Sequence, residues 1–133
     1  MTDKLRQSYE ELPYAGGSIT HSHPRLLHTV ANLTGLAAIS PETNGCRILE
    51  LGCGNGKNIL PMAEDLPESQ LVGIDFSQKH IDEGLELRNR AELANVELKC
   101  ADIMELGQEL GTFDYIICHG VFSWVPHKVR ARI

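Results

Sequence analysis

Short apolar runs alternate with longer amphipathic stretches along this chain. Residues 46–51, 70–74, 96–100 and 113–118 are of strand length, and the first is apolar enough to be buried on both faces. Between them, 57–65 can form a helix with Pro61 in its first turns. Residues 78–94 read as a long amphipathic helix capped by Ser77, with Ile81, Leu85 and Leu93 inward. A shorter helical piece spans 104–110 and stops at Gly111. Upstream, Pro24 suits the first position of a helix with Ser22 or His23 near its cap. Leu26, Leu27, Val30, Leu33 and Ala37 follow at helical spacing, so this helix is predicted to end near 36–39 and to pack. Residues 40–45 form a loop, 2–23 are irregular, and Pro126 opens a last helix after the loop 119–125. Strands alternating with helices predict an α/β fold built on a parallel sheet.

Polar residues recur where those strands end. Glu50 and the glycines of Gly52-Cys53-Gly54-Asn55-Gly56 follow the first, Asp75 the second, Asp102 the third and His119 the fourth. Ligands of such sheets bind beyond the carboxyl ends of the strands, near the point where strand order reverses. The four positions therefore predict one ligand site. A phosphate-binding P-loop needs G-x-x-x-x-G-K-[ST]. Here Gly52 to Gly56-Lys57 is one residue short, and Asn58 stands where a hydroxyl would hold magnesium. A dinucleotide fingerprint needs G-x-G-x-x-G, but after Gly54 the next glycine is Gly56 and position 57 is lysine. Glu50 is a poor neighbour for a pyrophosphate and a good one for a ligand with an ammonium group. Asp75 lies about 20 residues on, as a ribose-binding acid should, although any adenosine ligand shares that feature. A nucleotide-dependent oxidoreductase is the competing reading of the loop.

The pattern E-x-G-x-G-x-G resembles motif I of the class I S-adenosylmethionine-dependent methyltransferases. The resemblance implies a Rossmann-like fold and S-adenosyl-L-methionine as cofactor. It implies that Gly52, Cys53, Gly54 and Gly56 cradle the methionine portion and that Glu50 supports the loop and the ammonium. Asp75, with Phe76 beside it, would take the ribose, and Asp102 and Ile103 the adenine edge. A narrower likeness runs through Ser8-Tyr9-Glu10-Glu11-Leu12-Pro13-Tyr14, His23-Pro24, 113–117 and His119-Gly120-Val121-Phe122-Ser123-Trp124-Val125-Pro126. These segments look like bacterial methyltransferases with a C-terminal methyltransferase regulatory domain, some of which act on protein lysines. That family often has tyrosine where this chain has Phe122. The methyl acceptor is accordingly expected to be a protein lysine or a small molecule. His119 is the candidate general base or positioning residue, with cofactor lining as its other role. Trp124 would cover the site, hold a substrate alkyl chain, or simply pack in the core. Tyr9, Tyr14 and His23 would form an N-terminal lid, Tyr14 reaching the substrate.

Composition narrows this reading only slightly. The 133 residues suit one domain and carry a net charge of −6, which argues weakly against nucleic acid despite Lys128, Arg130 and Arg132. No run approaches a membrane span or an export signal. The four cysteines form no C-x-x-C pair, and neither His21-Ser22-His23 nor any other spacing suggests a metal. Reduced thiols and a cytoplasmic location are expected. The resembling fold has three strands beyond the fourth, so the chain is expected to be a fragment: a helical lid segment, 1–45, and a cofactor-binding portion, 46–133. An open fourth strand would favour self-association. A non-catalytic remnant that binds S-adenosylmethionine is the alternative to an enzyme.

Overall fold

The computed structural model describes residues 17–43 and 45–133. A 3₁₀ turn, Thr20–Ser22, leads into α1 (Pro24–Leu33) and then β1 (Arg47–Leu51). There follow α2 (Ile59–Asp65), β2 (Gln70–Asp75), α3 (Gln78–Arg90) and β3 (Val96–Cys100). Two 3₁₀ turns, Ile103–Glu105 and Gln108–Leu110, precede β4 (Tyr115–Ile117) and α4 (His127–Arg130). The four strands form one parallel sheet in the order β3-β2-β1-β4.

The strand-period alternation divides the apolar side chains between two layers. Ile48, Leu71, Leu98 and Ile117 pack with Ile59 and Met62 of α2 and Ile81 of α3. Leu49, Leu51, Val72 and Ile74 face the other way, toward Ile103, Leu106 and Phe113. Ile48, Ile59 and Ile74 are fully enclosed, each side chain worth about 1.5–3 kcal/mol of burial. Glu50 lies two residues after Ile48, so the same alternation turns it toward α2. Asn95, just before β3, donates its amide to the carbonyls of Ala63, Leu66 and Ser69 at 3.0–3.1 Å, fastening the turn between α2 and β2.

Both long helices stop earlier than their apolar spacing predicts, for the same reason. In α1, Gly35 is left-handed, and the Gly35 and Leu36 N–H groups bond back to Asn32 and Ala31. In α3, Glu92 takes the left-handed role, with Glu92 and Leu93 bonding to Asn89 and Arg88. These are paired Schellman closures. The stripe of α1 is largely uncovered: Leu27 packs on the core, while Leu26, Val30 and Leu33 are exposed. Among the described residues the first turn is the anchored part, through buried Pro24 and through Arg25, which reaches the Asp65 carbonyl and Glu42. The helix expected over 104–110 is instead two 3₁₀ turns. β4 is shorter than 113–118; just before it Asp114 joins β1 twice, its N–H donating to the Arg47 carbonyl and its Oδ2 accepting from the Arg47 N–H, both at 2.8 Å. Among the described residues β4 pairs only with β1, and no helix is long and apolar enough to cross a membrane.

Candidate functional site

From β1 the chain steps outward to β2 and β3, then returns to place β4 on the other side of β1. The reversal opens a crevice at the carboxyl ends of β1 and β4, the place where ligands of such sheets bind. The loop after β1 forms one wall. Gly52 is left-handed, and its N–H and that of Cys53 both donate to the Ile74 carbonyl, at 2.7 and 3.0 Å. A side chain at Gly52 would collide with Val121 of the loop after β4, so the two loops interlock there. At Gly54, also left-handed, a Cβ would meet nothing within 4 Å. The loop is thus closed beneath and open at its tip.

Asp75 ends β2 and organises that loop. Its Oδ2 accepts from the Gly54 N–H at 2.8 Å and its Oδ1 from the Ser77 N–H at 2.9 Å, with His80 Nδ1 3.6 Å away. Ser77 in turn caps α3 through the His80 N–H. Phe76 is half-buried, and its carbonyl accepts from the Cys100 thiol. Asp102 lies two residues beyond β3 and caps the following turn through the Met104 N–H at 2.9 Å. Burial pushes its carboxyl upward, but its hydrogen bonds, the Met104 N–H first among them, outweigh this and hold it below the usual range. Ile103 packs against both the second layer and Val121, Val125 and Val129.

Glu50 is the unusual member. It is only 4% exposed. Its Oε1 accepts from Asn58 Nδ2 at 2.6 Å, and its Oε2 has no hydrogen-bond partner among the described residues. Burial pushes the carboxyl up to about 7, with Asn58 pulling it down and Asp75 adding to the rise. Burial and the nearby Asp75 and Glu50 likewise raise the Cys53 thiol, which keeps it protonated and unreactive. Burial and Glu50 raise Cys118 in the same way.

The loop after β4 forms the other wall. His119 is exposed, with its ring edge-on to His21 at 5.5 Å between centroids. Trp124 closes a turn through its N–H to the Val121 carbonyl, yet its side chain is 71% exposed, so it does not pack in the core. Arg130 of α4 holds this loop, donating to the Val125 and Ser123 carbonyls and stacking over Phe122. Arg132 donates to the Leu106 carbonyl, so two of the three C-terminal basic residues are engaged within the chain.

Glu50, the glycines and Asp75 are thus brought together, with Asp102 and His119 on neighbouring strand ends. Tyr9 and Tyr14 lie outside the described residues. His23, expected in a lid, instead caps α1 through the Arg25 N–H and stands 3.6 Å from Asp65. His21 reaches His119 in its place. Sequence reasoning gave Asn58, Ser22 and Val121 no part in the site. An asparagine opening a helix directly after a glycine loop was the available signal for Asn58, but it reads as an ordinary cap. Among the described residues no three His, Cys, Asp or Glu side chains cluster to hold a metal.

Residues 42–131 match the family described as a methyltransferase domain. The chain belongs to that family. The motif resemblance and the structural likenesses place it among the class I S-adenosylmethionine-dependent methyltransferases. It is similar to the Uncharacterized protein RP028 of Rickettsia prowazekii, at 42% identity over 99% of this chain and 51% of that protein. It is also similar to the structure of PKMT2 from Rickettsia typhi in complex with AdoHcy, at 40% identity and a TM-score of 0.84, over 90% of this chain and 23% of that one. A Deinococcus radiodurans trans-aconitate 2-methyltransferase shares 28% identity over 71% of this chain and 34% of that protein. The chain therefore spans about half the length of the first relative and under a quarter of PKMT2.

Proposed function

We propose that residues 46–133 are the S-adenosylmethionine-binding portion of a methyltransferase and that 1–45 form the segment closing over it. The observation that carries this reading is the buried Oε2 of Glu50, without a hydrogen-bond partner among the described residues, below the open tip of the glycine loop. A buried acid in that state is stabilised by a cationic donor and destabilised by phosphate. The cofactor brings an ammonium and no phosphate, so the residues present fit it.

Glu50 Oε2 would hold the ammonium, and Gly54 leaves room for the methionine portion. Asp75 uses one lone pair of each oxygen on a backbone N–H and keeps the others for the ribose hydroxyls, with Phe76 alongside. Asp102 and Ile103 would meet the adenine edge. When bound, S-adenosylmethionine supplies a methyl made electrophilic by its sulfonium. His119, at the mouth of the crevice, would orient the acceptor or take its proton. The exposed ring of Trp124 offers a surface for an alkyl chain, and Tyr14 is a further candidate on the acceptor side. The acceptor we favour is a protein lysine. The motif resemblance and the 40% likeness to PKMT2 support it, and a small molecule is the other outcome of the test. A reducing cytoplasmic setting suits the cysteines.

Calorimetry with S-adenosylmethionine, S-adenosylhomocysteine and NAD tests the reading. Binding of the first two is expected; binding of NAD alone would overturn it. Transfer of labelled methyl groups to lysate proteins against a small-molecule extract then identifies the acceptor class.

A further inference from the structure

We infer that Asn58 is a positioning residue that fastens the Ile19–Ser22 turn to Glu50, so that the turn and the amino-acid end of the bound cofactor hold each other in place. The inference rests on the cofactor reading above. Asn58 immediately precedes α2, where an asparagine side chain often bonds the first turn of the helix, but its backbone is already helical. Here it makes no capping bond. Its amide goes elsewhere: Oδ1 accepts from the Ile19 N–H at 2.7 Å, and Nδ2 donates to Ser22 Oγ at 3.1 Å and Glu50 Oε1 at 2.6 Å. The Ile19 N–H can only donate, which fixes Oδ1 toward it and the NH₂ toward Glu50. Ser22 Oγ closes the ring by donating to the Ile19 carbonyl at 2.9 Å. Asn58 and Ser22 are both buried.

The same turn carries His21, which lies against His119. It therefore touches both walls of the crevice, one through Asn58 and the other through His119. A cation at Glu50 Oε2 favours the ionised carboxylate, which accepts more strongly from Asn58. Asn58 then grips the turn more tightly. By linkage the effect is reciprocal: a docked turn favours the cofactor. Asp75, from the end of β2, is the charged group that acts on Glu50; the thiols of Cys53 from its own loop and Cys118 from the end of β4 also face it, and its charge raises both. Asn58 is the donor that opposes burial and Asp75.

Hydrogen exchange over residues 17–23, with and without S-adenosylhomocysteine, tests this, together with calorimetry from pH 6 to 9. In the wild-type chain the ligand should slow exchange at the Ile19 amide tenfold or more. Asn58→Ala should abolish that protection, weaken the ligand about tenfold, and move the pH midpoint of binding upward, because Glu50 loses its donor. Ser22→Ala, at the outer end of the network, should lose part of the protection with the pH midpoint unmoved. Unchanged protection of the β2 amides shows that each variant is folded. If a folded Asn58→Ala keeps affinity, midpoint and ligand-induced protection, the inference is overturned and the cofactor reading stands. If Asn58→Ala does not fold, unaltered protection in Ser22→Ala overturns it. A folded wild-type chain that fails to bind S-adenosylhomocysteine overturns both.

Discussion

Replacing Glu50 by glutamine separates stability from binding. Glutamine keeps an oxygen to accept from Asn58 and removes the charge. The Glu50 carboxyl lies at about 7 in the folded chain against an ordinary 4.5. At ~1.4 kcal/mol for each tenfold in proton affinity, that corresponds to about 3 kcal/mol in favour of the neutral form. Between those two values the folded chain holds a proton that the unfolded chain has released. Stability is therefore fully present below pH 4.5, falls as pH rises toward 7, and stays reduced above. Glu50→Gln escapes this loss, less the roughly 1–2 kcal/mol cost of an amide N–H left without an acceptor where Oε2 stood. Urea unfolding at pH 8 should find the variant about 1–2 kcal/mol more stable than wild type, with the advantage gone or reversed at pH 4.5. The same change removes the counter-charge for the cofactor's ammonium, a charged hydrogen bond worth about 1.5–3 kcal/mol. S-adenosylhomocysteine should then bind about 10- to 150-fold more weakly by calorimetry. A variant less stable than wild type at pH 8, or a stability difference that does not change with pH, refutes the account of Glu50 as a buried acid awaiting a donor.

The two glycines of the loop should fail differently. Gly52→Ala combines left-handed strain with the collision on Val121 and should cost about 2–4 kcal/mol in thermal or urea melting. Gly54→Ala adds only the strain, about 1–2 kcal/mol, but should weaken S-adenosylhomocysteine about tenfold, a loss of ~1.4 kcal/mol; undiminished affinity would remove Gly54 from the ligand's path. Asp75→Ala strands the Gly54 and Ser77 N–H groups, costing about 2 kcal/mol of stability, and unchanged S-adenosylmethionine affinity would refute the ribose assignment. The outer edge of β4, unpaired among the described residues, and exposed Ile116 predict concentration-dependent association in sedimentation velocity that Ile116→Lys suppresses; a monomer at all concentrations would refute it.

What was legible in the sequence was what local chemistry decides. The apolar runs located all four strands, Ser77 capped its helix as its side chain suggests, and the strand-end acids fell along one edge. The helix ends were misjudged where a turn overrode an apolar pattern: the spacing ran on to Ala37, past the left-handed Gly35 that closes the helix. Glu92 gave no such sign, since glutamate seldom takes a left-handed conformation. The wiring of the site was least legible. Asn58 meets Ile19 and Ser22 across 39 and 36 positions, and nothing near Asn58 shows that its amide leaves the helix it opens. Trp124 shows the limit on aromatic residues: a large apolar ring suggests the interior, yet its turn holds it in solvent.

Asn95 carries a consequence for the order in which the molecule is made. Its single amide ties down three carbonyls at the junction of α2 and β2, including that of Ser69, whose hydroxyl in turn accepts from the Cys46 N–H at the threshold of β1. A nascent chain on the ribosome can pair β1 with β2 early, but the turn between α2 and β2 gains this fastening only once Asn95 has left the exit tunnel.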